Sequence, residues 1–203
     1  MDTDIFISGG GVAGLSAAVA FGQAGFDVLC VDPQPPITQR DQDGADLRTT
    51  AYLQPAQAFL NRIGLWPHVS QDAQALHVMR ILDADHNNPK DFAAKDISDT
   101  PFGWNVGNWQ MRAALMARIA ELPNIDFRSG VKTLRYMTRT HSAHARLSDG
   151  TDVTAQLGIA ADGRDSMIRS ELGITAKTRE FGQHALTFAV THPIPHQNIS
   201  TEV

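Results

Sequence analysis

The chain has 203 residues, of which 42% are apolar and 19% are charged, and its net charge is −5. This length and composition are typical of one globular domain or two small ones, and they exclude extensive disorder. The acidic balance argues against nucleic-acid binding, which needs a basic face. A single cysteine, Cys30, excludes an internal disulfide and fits a reducing compartment.

The N-terminal apolar stretch differs from a secretory signal, because acidic rather than basic residues precede it. Five glycines between Gly9 and Gly22 also interrupt it. The sequence contains no run of about eighteen apolar residues, so a membrane-spanning helix is not expected. We therefore expect a cytoplasmic protein.

The first predicted elements form a strand–helix–strand unit. An apolar run over residues 4–8 predicts a strand, and residues 12–24, rich in Ala, predict a helix that Gly25 ends. Residues 26–31 predict a second strand. Strands joined in this way lie parallel in one sheet, which predicts the α/β class.

A polar loop over residues 33–45 precedes the second predicted helix. The spacing of apolar residues places the start of this helix at Thr49 or Thr50 and its end at Ile63, before Gly64. Residues 75–84 predict a strand, and the polar residues that follow, 87–100, predict irregular structure. A third helix is predicted over residues 109–121, with Asn108 as its N-cap.

The remaining predicted elements are short. A helix is expected over residues 165–172, ended by Gly173. A Ser-Asp-Gly turn at residues 148–150 predicts a hairpin between two strands. The strands are predicted over residues 125–128, 131–136, 142–147, 153–160 and 184–190.

A glycine-rich turn lies between the first predicted strand and helix, with the sequence Gly-Gly-Gly-Val-Ala-Gly from residue 9 to residue 14. Gly9 permits a tight turn, Gly11 lets the backbone approach a pyrophosphate, and Gly14 lets the helix pack on the strands. The helix N-terminus at Val12 and Ala13 offers free N–H groups to phosphates. The turn therefore predicts a dinucleotide site.

An acidic residue stands at the expected distance from this turn. Asp32 follows the second predicted strand, eighteen residues after Gly14, where a carboxylate can accept hydrogen bonds from ribose hydroxyls. A second motif, Asp162-Gly163, predicts a turn before the last helix, which Asp165 or Ser166 can cap. By itself the second motif would be an ordinary turn.

Together the two motifs make the chain similar to a known family. It resembles the flavoprotein monooxygenases of the para-hydroxybenzoate hydroxylase type and, within them, the ubiquinone-biosynthesis hydroxylases. The resemblance covers nearly the whole chain and is carried by residues 5–15, 47–51, 161–166 with Arg169, and 181–186. It implies a Rossmann-like FAD-binding domain of the glutathione-reductase type with part of a β-rich substrate domain. Residues 1–74 and 101–176 would form the first domain, and residues 75–100 and 177–203 the second.

The resemblance also implies roles for basic and polar residues outside the glycine turn. It places Arg48 near the FAD pyrophosphate, and a guanidinium does pair well with phosphate oxygens. The alternative for Arg48 is a surface arginine at the start of a helix. Asn108 and Arg112 would approach the adenosine side, although Arg112 could equally be a solvated helix residue.

The remaining implied contacts lie around the adenosine and the flavin. Val131 corresponds to a backbone contact with adenine, and Asp162 and Gly163 to the path of the dinucleotide. The family usually has Glu where this chain has Asp32, so the shorter side chain needs a closer ribose or a water. No catalytic base can be assigned from the sequence.

The chain departs from the family in one important respect. Family members carry a later Gly-Asp motif that completes the flavin site, and no Gly-Asp dipeptide occurs here. They are also about twice as long. We therefore expect the chain to correspond to the N-terminal half of such an enzyme, with the ADP end of the FAD site and an incomplete flavin pocket.

The resemblance implies hydroxylation of a phenolic ring by FAD, with O2 and with NADH or NADPH as electron donor. A prenylated ubiquinone precursor as substrate would imply loose association with the membrane or with a biosynthetic complex. Three alternatives stay open: an NAD(P)-dependent dehydrogenase, a flavoprotein reductase of the same fold, and an inactive fragment. Metal binding is not expected, because Pro193 and Pro195 keep His192 and His196 off a shared helix face.

Overall fold

A computed structural model describes residues 1–83 and 86–203, and for residues 86 and 87 it describes the backbone alone. Two short 3-10 turns lie at Trp66–His68 and Ala94–Asp96. The helices are α1 (Val12–Gln23), α2 (Gln54–Arg62), α3 (Asn108–Ala120) and α4 (Met167–Glu171). The strands are β1 (Asp2–Ser8), β2 (Val28–Asp32), β3 (Thr49–Leu53), β4 (Gln74–Leu76), β5 (Val78–Asp83), β6 (His86–Ala93), β7 (Gly103–Gly107), β8 (Ile125–Ser129), β9 (Thr133–Thr138), β10 (Ala143–Leu147), β11 (Asp152–Ala160) and β12 (Ile199–Glu202).

The largest sheet has six strands in the order β8-β2-β1-β11-β10-β9. The first four strands in this order run parallel, and β10 and β9 continue the sheet antiparallel. The chain passes from β1 to β2 and β8 on one side and returns to β11 on the other. The order of the strands therefore reverses at β1, which is where α/β folds bind ligands. The predicted strand–helix–strand unit and the α/β class are confirmed.

The sheet is buried on both faces because alternate residues of its central strands enter two apolar clusters. Ile5 and Ile7 of β1 pack in the cluster that includes residues of α1, α2 and α3. Phe6 points the other way, into the cluster that includes residues of β9, β10 and Ile168 of α4. This arrangement explains why residues 5–7 of β1 and 28–31 of β2 are continuous apolar runs rather than alternating ones.

The antiparallel part of the sheet curls back over β1. Neighbouring strands lie about 4.8 Å apart, so three steps across a flat sheet would separate β1 from β9 by about 14 Å. Instead, the rings of Phe6 and Tyr136 have their centroids 6.4 Å apart. The hydroxyl oxygens of Ser8 and Thr133 are 2.7 Å apart and buried. The end of β1 is therefore covered by the start of β9.

The second helix begins later in the chain than the sequence predicted. Residues 49–53 form β3, which pairs antiparallel with β7, and the helix begins only at Gln54. Pro55 lies in the first turn of α2, where the missing N–H of proline costs no hydrogen bond. The apolar spacing was compatible with a longer helix, but pairing with β7 determines the backbone of residues 49–53.

Three further predictions need correction. Residues 75–84 form two strands, β4 and β5, instead of one, and residue 84 itself lies outside the described residues. The segment 87–100, predicted to be irregular, contains most of β6, which pairs antiparallel with β5. Residues 184–190 form neither helix nor strand; the final strand is β12, which pairs parallel with β5.

The strands β12, β5 and β6 form a three-stranded sheet of their own, and β3, β7 and β4 form another. The first of these sheets uses segments that the sequence assigned to the second domain; the division into two domains stays a prediction. In the part of the chain that the structure describes, no helix has the length and apolarity needed to cross a membrane.

The caps of the helices differ in how well the sequence predicted them. The N-cap of α3 is Gly107 rather than Asn108, and the Gly107 N–H donates to the side chain of Gln110 at 3.0 Å. Asn108 is instead the first helical residue, and its amide makes longer-range contacts. Ser166 caps α4, as expected, by accepting a hydrogen bond from the Arg169 N–H at 3.0 Å.

The cap of α4 provides a test of the fold. Replacing Ser166 with Ala removes the bond from Arg169 and a second bond in which the hydroxyl donates to Asp162, so we expect a loss of about 0.5–2 kcal/mol in the free energy of unfolding. Ser170→Ala is the matched control: residue 170 is exposed, and its hydroxyl donates to the Ser166 carbonyl at 3.2 Å without capping the helix, so its loss should cost less than about 0.5 kcal/mol. Urea denaturation measures both. Equal costs for the two variants would contradict the capping role.

Candidate dinucleotide site

A pocket of about 460 Å³ opens at the carboxyl ends of β1, β2 and β11. It brings together six of the residues that the sequence singled out, from four separate parts of the chain. These are Gly9, Gly11, Asp32, Val131, Asp162 and Gly163. The start of β9 forms the facing wall through Lys132 and Thr133.

At two positions of the glycine-rich turn between β1 and α1, a side chain would collide with the backbone of another residue. Gly9 has φ +115°, and a Cβ there would collide with the carbonyl oxygen of Ala161. A Cβ at Gly14 would collide with the carbonyl oxygen of Gly9. Gly11 differs, because a Cβ added there would have no described atom within 4 Å. Its φ of −72° is also one that any residue can adopt. Glycine at position 11 therefore keeps space open in the pocket.

The N-terminus of α1 faces this open space. No side chain among the described residues caps the first turn of α1, and that turn contains no acidic residue. The N–H groups at Val12 and Ala13 belong to the first turn, whose N–H groups have no partners within a helix. Together with the positive end of the helix dipole, they form a region suited to an anion such as a phosphate group.

Asp32 accepts two hydrogen bonds from the backbone. The N–H of Gly10 donates to Oδ2 at 2.6 Å, and the N–H of Gln34 donates to Oδ1 at 2.7 Å. The backbone carbonyl of Asp32 accepts from the N–H of Val131 at 3.1 Å. The carboxylate thus fixes the glycine-rich turn, a contact that the sequence did not predict, while each oxygen keeps a lone pair for a further donor.

The Asp162-Gly163 turn connects β11 to α4 beside the glycine-rich turn. Asp162 accepts from the hydroxyl of Ser166 at 2.6 Å and from the N–H of Ile168 at 3.2 Å. Gly163 has φ +87°, which strongly favours glycine. Both carboxylate oxygens of Asp162 thus hold the first turn of α4, and the backbone of the motif lines the pocket.

The charges around the pocket are mostly negative. Asp32, Asp162 and Asp165 line it together with one basic residue, Lys132. A bound pyrophosphate would therefore depend on backbone N–H groups and on cations from outside this lining.

Cys30 lies beneath the turn, fully buried, and its burial and the nearby Asp32 charge raise the pKa of its thiol to about 12. It is therefore a packing residue and not a nucleophile.

Arg48 does not line this pocket but belongs to a separate polar cluster. Its guanidinium forms a two-point ion pair with Asp46, in which Nε–Oδ1 and Nη2–Oδ2 are both 2.7 Å. Asn108 donates to the same carboxylate at 2.8 Å and accepts from the hydroxyl of Thr50 at 2.6 Å. These four residues, Asp46, Arg48, Thr50 and Asn108, are called the Arg48 cluster below. Arg48 precedes a strand, β3, rather than a helix as the sequence suggested.

Arg112 lies one helical turn after Asn108 on α3 and is half-buried. Residues four apart share a helix face, so the two side chains project from the same side of α3. Among residues 1–83 and 86–203, no hydrogen bond or ion pair is found for the guanidinium of Arg112. Its charge is therefore available to an anionic ligand.

Sequence reasoning missed two features of the site. The first is the hydroxyl pair of Ser8 and Thr133, which joins strands remote in sequence and had no local signal. The second is Asp46. Its position two residues before Arg48, a candidate phosphate-binding arginine, could have indicated that the two side chains pair. In the described parts of the chain, no group of three or more His, Cys, Asp or Glu side chains could hold a metal ion.

Comparison with curated proteins gives relatives of consistent type. Ubiquinone hydroxylase UbiL of Rhodospirillum rubrum is 30% identical over 199 residues, a match that covers 98% of this chain and 46% of UbiL. The 3-demethoxyubiquinol 3-hydroxylase of Escherichia coli is 25% identical over 190 residues, covering 93% of this chain and 48% of the hydroxylase. The chain thus spans just under half the length of these relatives, as the resemblance predicted.

Solved structures share the fold at lower identity. The crystal structure of p-nitrophenol 4-monooxygenase PnpA from Pseudomonas putida DLL-E4 superposes with a TM-score of 0.74 at 19% identity, covering 86% of this chain and 44% of PnpA. The flavin-dependent monooxygenase PieE, solved in complex with FAD and substrate, gives a TM-score of 0.69 at 20% identity, covering 86% of this chain and 32% of PieE. Residues 2–201 match the family described as FAD binding domain. The chain therefore belongs to the FAD binding domain family.

Proposed function

We propose that this chain holds the ADP end of FAD in an enzyme that hydroxylates a phenolic substrate. The observation that carries the proposal is the pocket at the carboxyl end of β1, where an open position at Gly11 meets the uncapped N-terminus of α1. This geometry fits a pyrophosphate, because it combines unpaired N–H groups with space for phosphate oxygens. Family membership agrees with FAD as the dinucleotide.

The ADP portion of FAD would be held mainly by backbone groups and one carboxylate. We assign the pyrophosphate to the N–H groups at Gly11, Val12 and Ala13. Asp32 would accept a ribose hydroxyl with the lone pairs that its two backbone bonds leave unused. At Val131, whose N–H already donates to Asp32, the backbone carbonyl is the group that we assign to adenine.

Further contacts would come from the rest of the predicted site. We assign Asp162 and Gly163 to the path of the dinucleotide beside the pyrophosphate, since they line the same pocket. Arg48 would supply positive charge to the pyrophosphate, and Asn108 and Arg112 would act on the adenosine side. Basic residues are needed here, because the pocket lining itself carries more acids than bases.

The proposed reaction follows from the relatives. Bound FAD supplies the chemistry of activating O2 for ring hydroxylation, with electrons from NADH or NADPH. Two relatives are a ubiquinone hydroxylase and a 3-demethoxyubiquinol 3-hydroxylase, so we propose a phenolic, prenylated ubiquinone precursor as substrate. Because such a substrate is lipophilic, we propose a cytoplasmic protein that associates loosely with the membrane or with a biosynthetic complex.

The role of Gly11 can be tested in this chain. Gly11→Ala introduces a methyl group where a phosphate would lie, so we expect FAD and ADP to bind about tenfold to a hundredfold more weakly. The fold should tolerate the change within about 1 kcal/mol, since the φ of −72° suits any residue. Calorimetric titration measures binding, and urea denaturation measures stability. Ser16→Ala, farther along α1, is the control, and unchanged binding by Gly11→Ala would contradict the proposed site.

The reaction itself is tested in a protein that contains this chain at the full length of its relatives. With FAD, O2, reduced nicotinamide and a prenylated phenol, we expect consumption of O2 and a hydroxylated product detected by mass spectrometry. Product that gains two hydrogens at a prenyl double bond without O2 consumption would favour the flavoprotein reductase. Full turnover by the 203-residue chain alone would contradict its assignment as the ADP half of the site.

A further inference from the structure

We infer that Asp46 is a positioning residue for the pyrophosphate of the cofactor: it holds one edge of the Arg48 guanidinium and leaves the opposite edge for a phosphate. The inference rests on the proposed function, in which Arg48 contacts the pyrophosphate. It adds a residue that neither the sequence motifs nor the pocket at Gly11 assigns.

The geometry of the ion pair carries the first step. Asp46 receives the N–H of Nε and one N–H of Nη2, each with the heavy atoms 2.7 Å apart. A guanidinium has five N–H donors in one plane, so two of the three remaining donors lie on the edge formed by Nη1 and Nη2. That edge has the spacing that phosphate oxygens accept in two-point pairs. Arg48 is therefore both oriented and still able to bind.

Asp46 is itself held from α3, which is the second step. The side chain of Asn108 donates to Oδ2 of Asp46 at 2.8 Å, and Thr50 fixes that amide by donating to its oxygen at 2.6 Å. The main chain is tied as well, since the N–H of Asn108 donates to the Arg48 carbonyl at 3.0 Å. The carboxylate of Asp46 is thus a fixed point relative to the helix.

The exposures of the two partners give the third step. The Asp46 side chain is 17% exposed, whereas that of Arg48 is 63% exposed. A fully free arginine of this exposure would sample many rotamers and would lose that freedom on binding a phosphate. The hydrogen bonds from Arg48 and Asn108 also hold the pKa of Asp46 well below its usual range, so the carboxylate stays charged at neutral pH.

Affinity for ADP, compared with adenosine, tests this inference in the 203-residue chain. Asp46→Asn keeps the size of the side chain and removes its charge. Ordering one long side chain costs about 0.5–1.5 kcal/mol, so we expect ADP to bind about two- to tenfold more weakly. Adenosine lacks phosphates, and its affinity should not change. Ligand-observed NMR titration measures both probes.

A double-mutant cycle separates an effect through Arg48 from a general one. Arg48→Ala removes the proposed phosphate contact, so adding Asp46→Asn to it should cause no further loss of ADP affinity. Asp91→Asn is the matched control, because Asp91 forms the same two-point pair with Arg80, with Nε–Oδ1 and Nη2–Oδ2 both 2.7 Å. Asp91 lies on β6, outside the pocket lining, and its variant should bind ADP as the parent chain does.

Four outcomes would overturn the positioning role. Tighter ADP binding by Asp46→Asn would mean that the carboxylate competes with phosphate for Arg48. Equal weakening of ADP and adenosine would mean a structural effect. An additional loss in the Arg48→Ala background would mean that Asp46 acts independently of Arg48. If the parent chain bound neither ADP nor FAD, the proposed function would fail. If the parent chain bound ADP and Asp46→Asn left the affinity for ADP unchanged, only this inference would be overturned.

Discussion

At two positions of the glycine-rich turn a β-carbon would collide with the backbone of another residue, and the rest of the candidate dinucleotide site depends on this constraint. A Cβ at Gly14 would overlap the carbonyl of Gly9, and a Cβ at Gly9 would overlap that of Ala161. Because backbone meets backbone here, β1, α1 and β11 approach one another without intervening side chains. The helix N-terminus and the ends of two strands therefore converge on one pocket.

Hydrogen bonds made by three side chains, Asp32, Ser8 and Thr133, close the pocket around that turn. Asp32 binds the N–H of Gly10 and so connects β2 to the turn. The hydroxyls of Ser8 and Thr133 connect the end of β1 to the start of β9, which the curl of the sheet brings over it. These bonds are made within the protein, while the N–H groups in the first turn of α1 and the open space at Gly11 are left to a ligand.

Local patterns predicted the elements whose backbone follows short-range rules. The first strand–helix–strand unit, with its turn and its end at Gly25, needed only residues close in sequence. Residues 49–53 were mistaken for helix because the apolar spacing fits both structures, and only pairing with the remote β7 decides between them. The contact of Asp46 with Asn108 spans 62 positions, so no local pattern contained it.

The two proposed sources of phosphate binding in this chain differ in kind. The pocket at Gly11 offers N–H groups and a helix dipole but is lined by more acids than bases, so it supplies little net positive charge. In this proposal, Arg48 would supply that charge to the pyrophosphate only if the loop before β3 is fixed relative to the pocket. The Arg48 cluster provides this connection, because it ties the loop to α3 through Asn108. In the proposed site, charge compensation would therefore depend on a contact outside the glycine-rich motif.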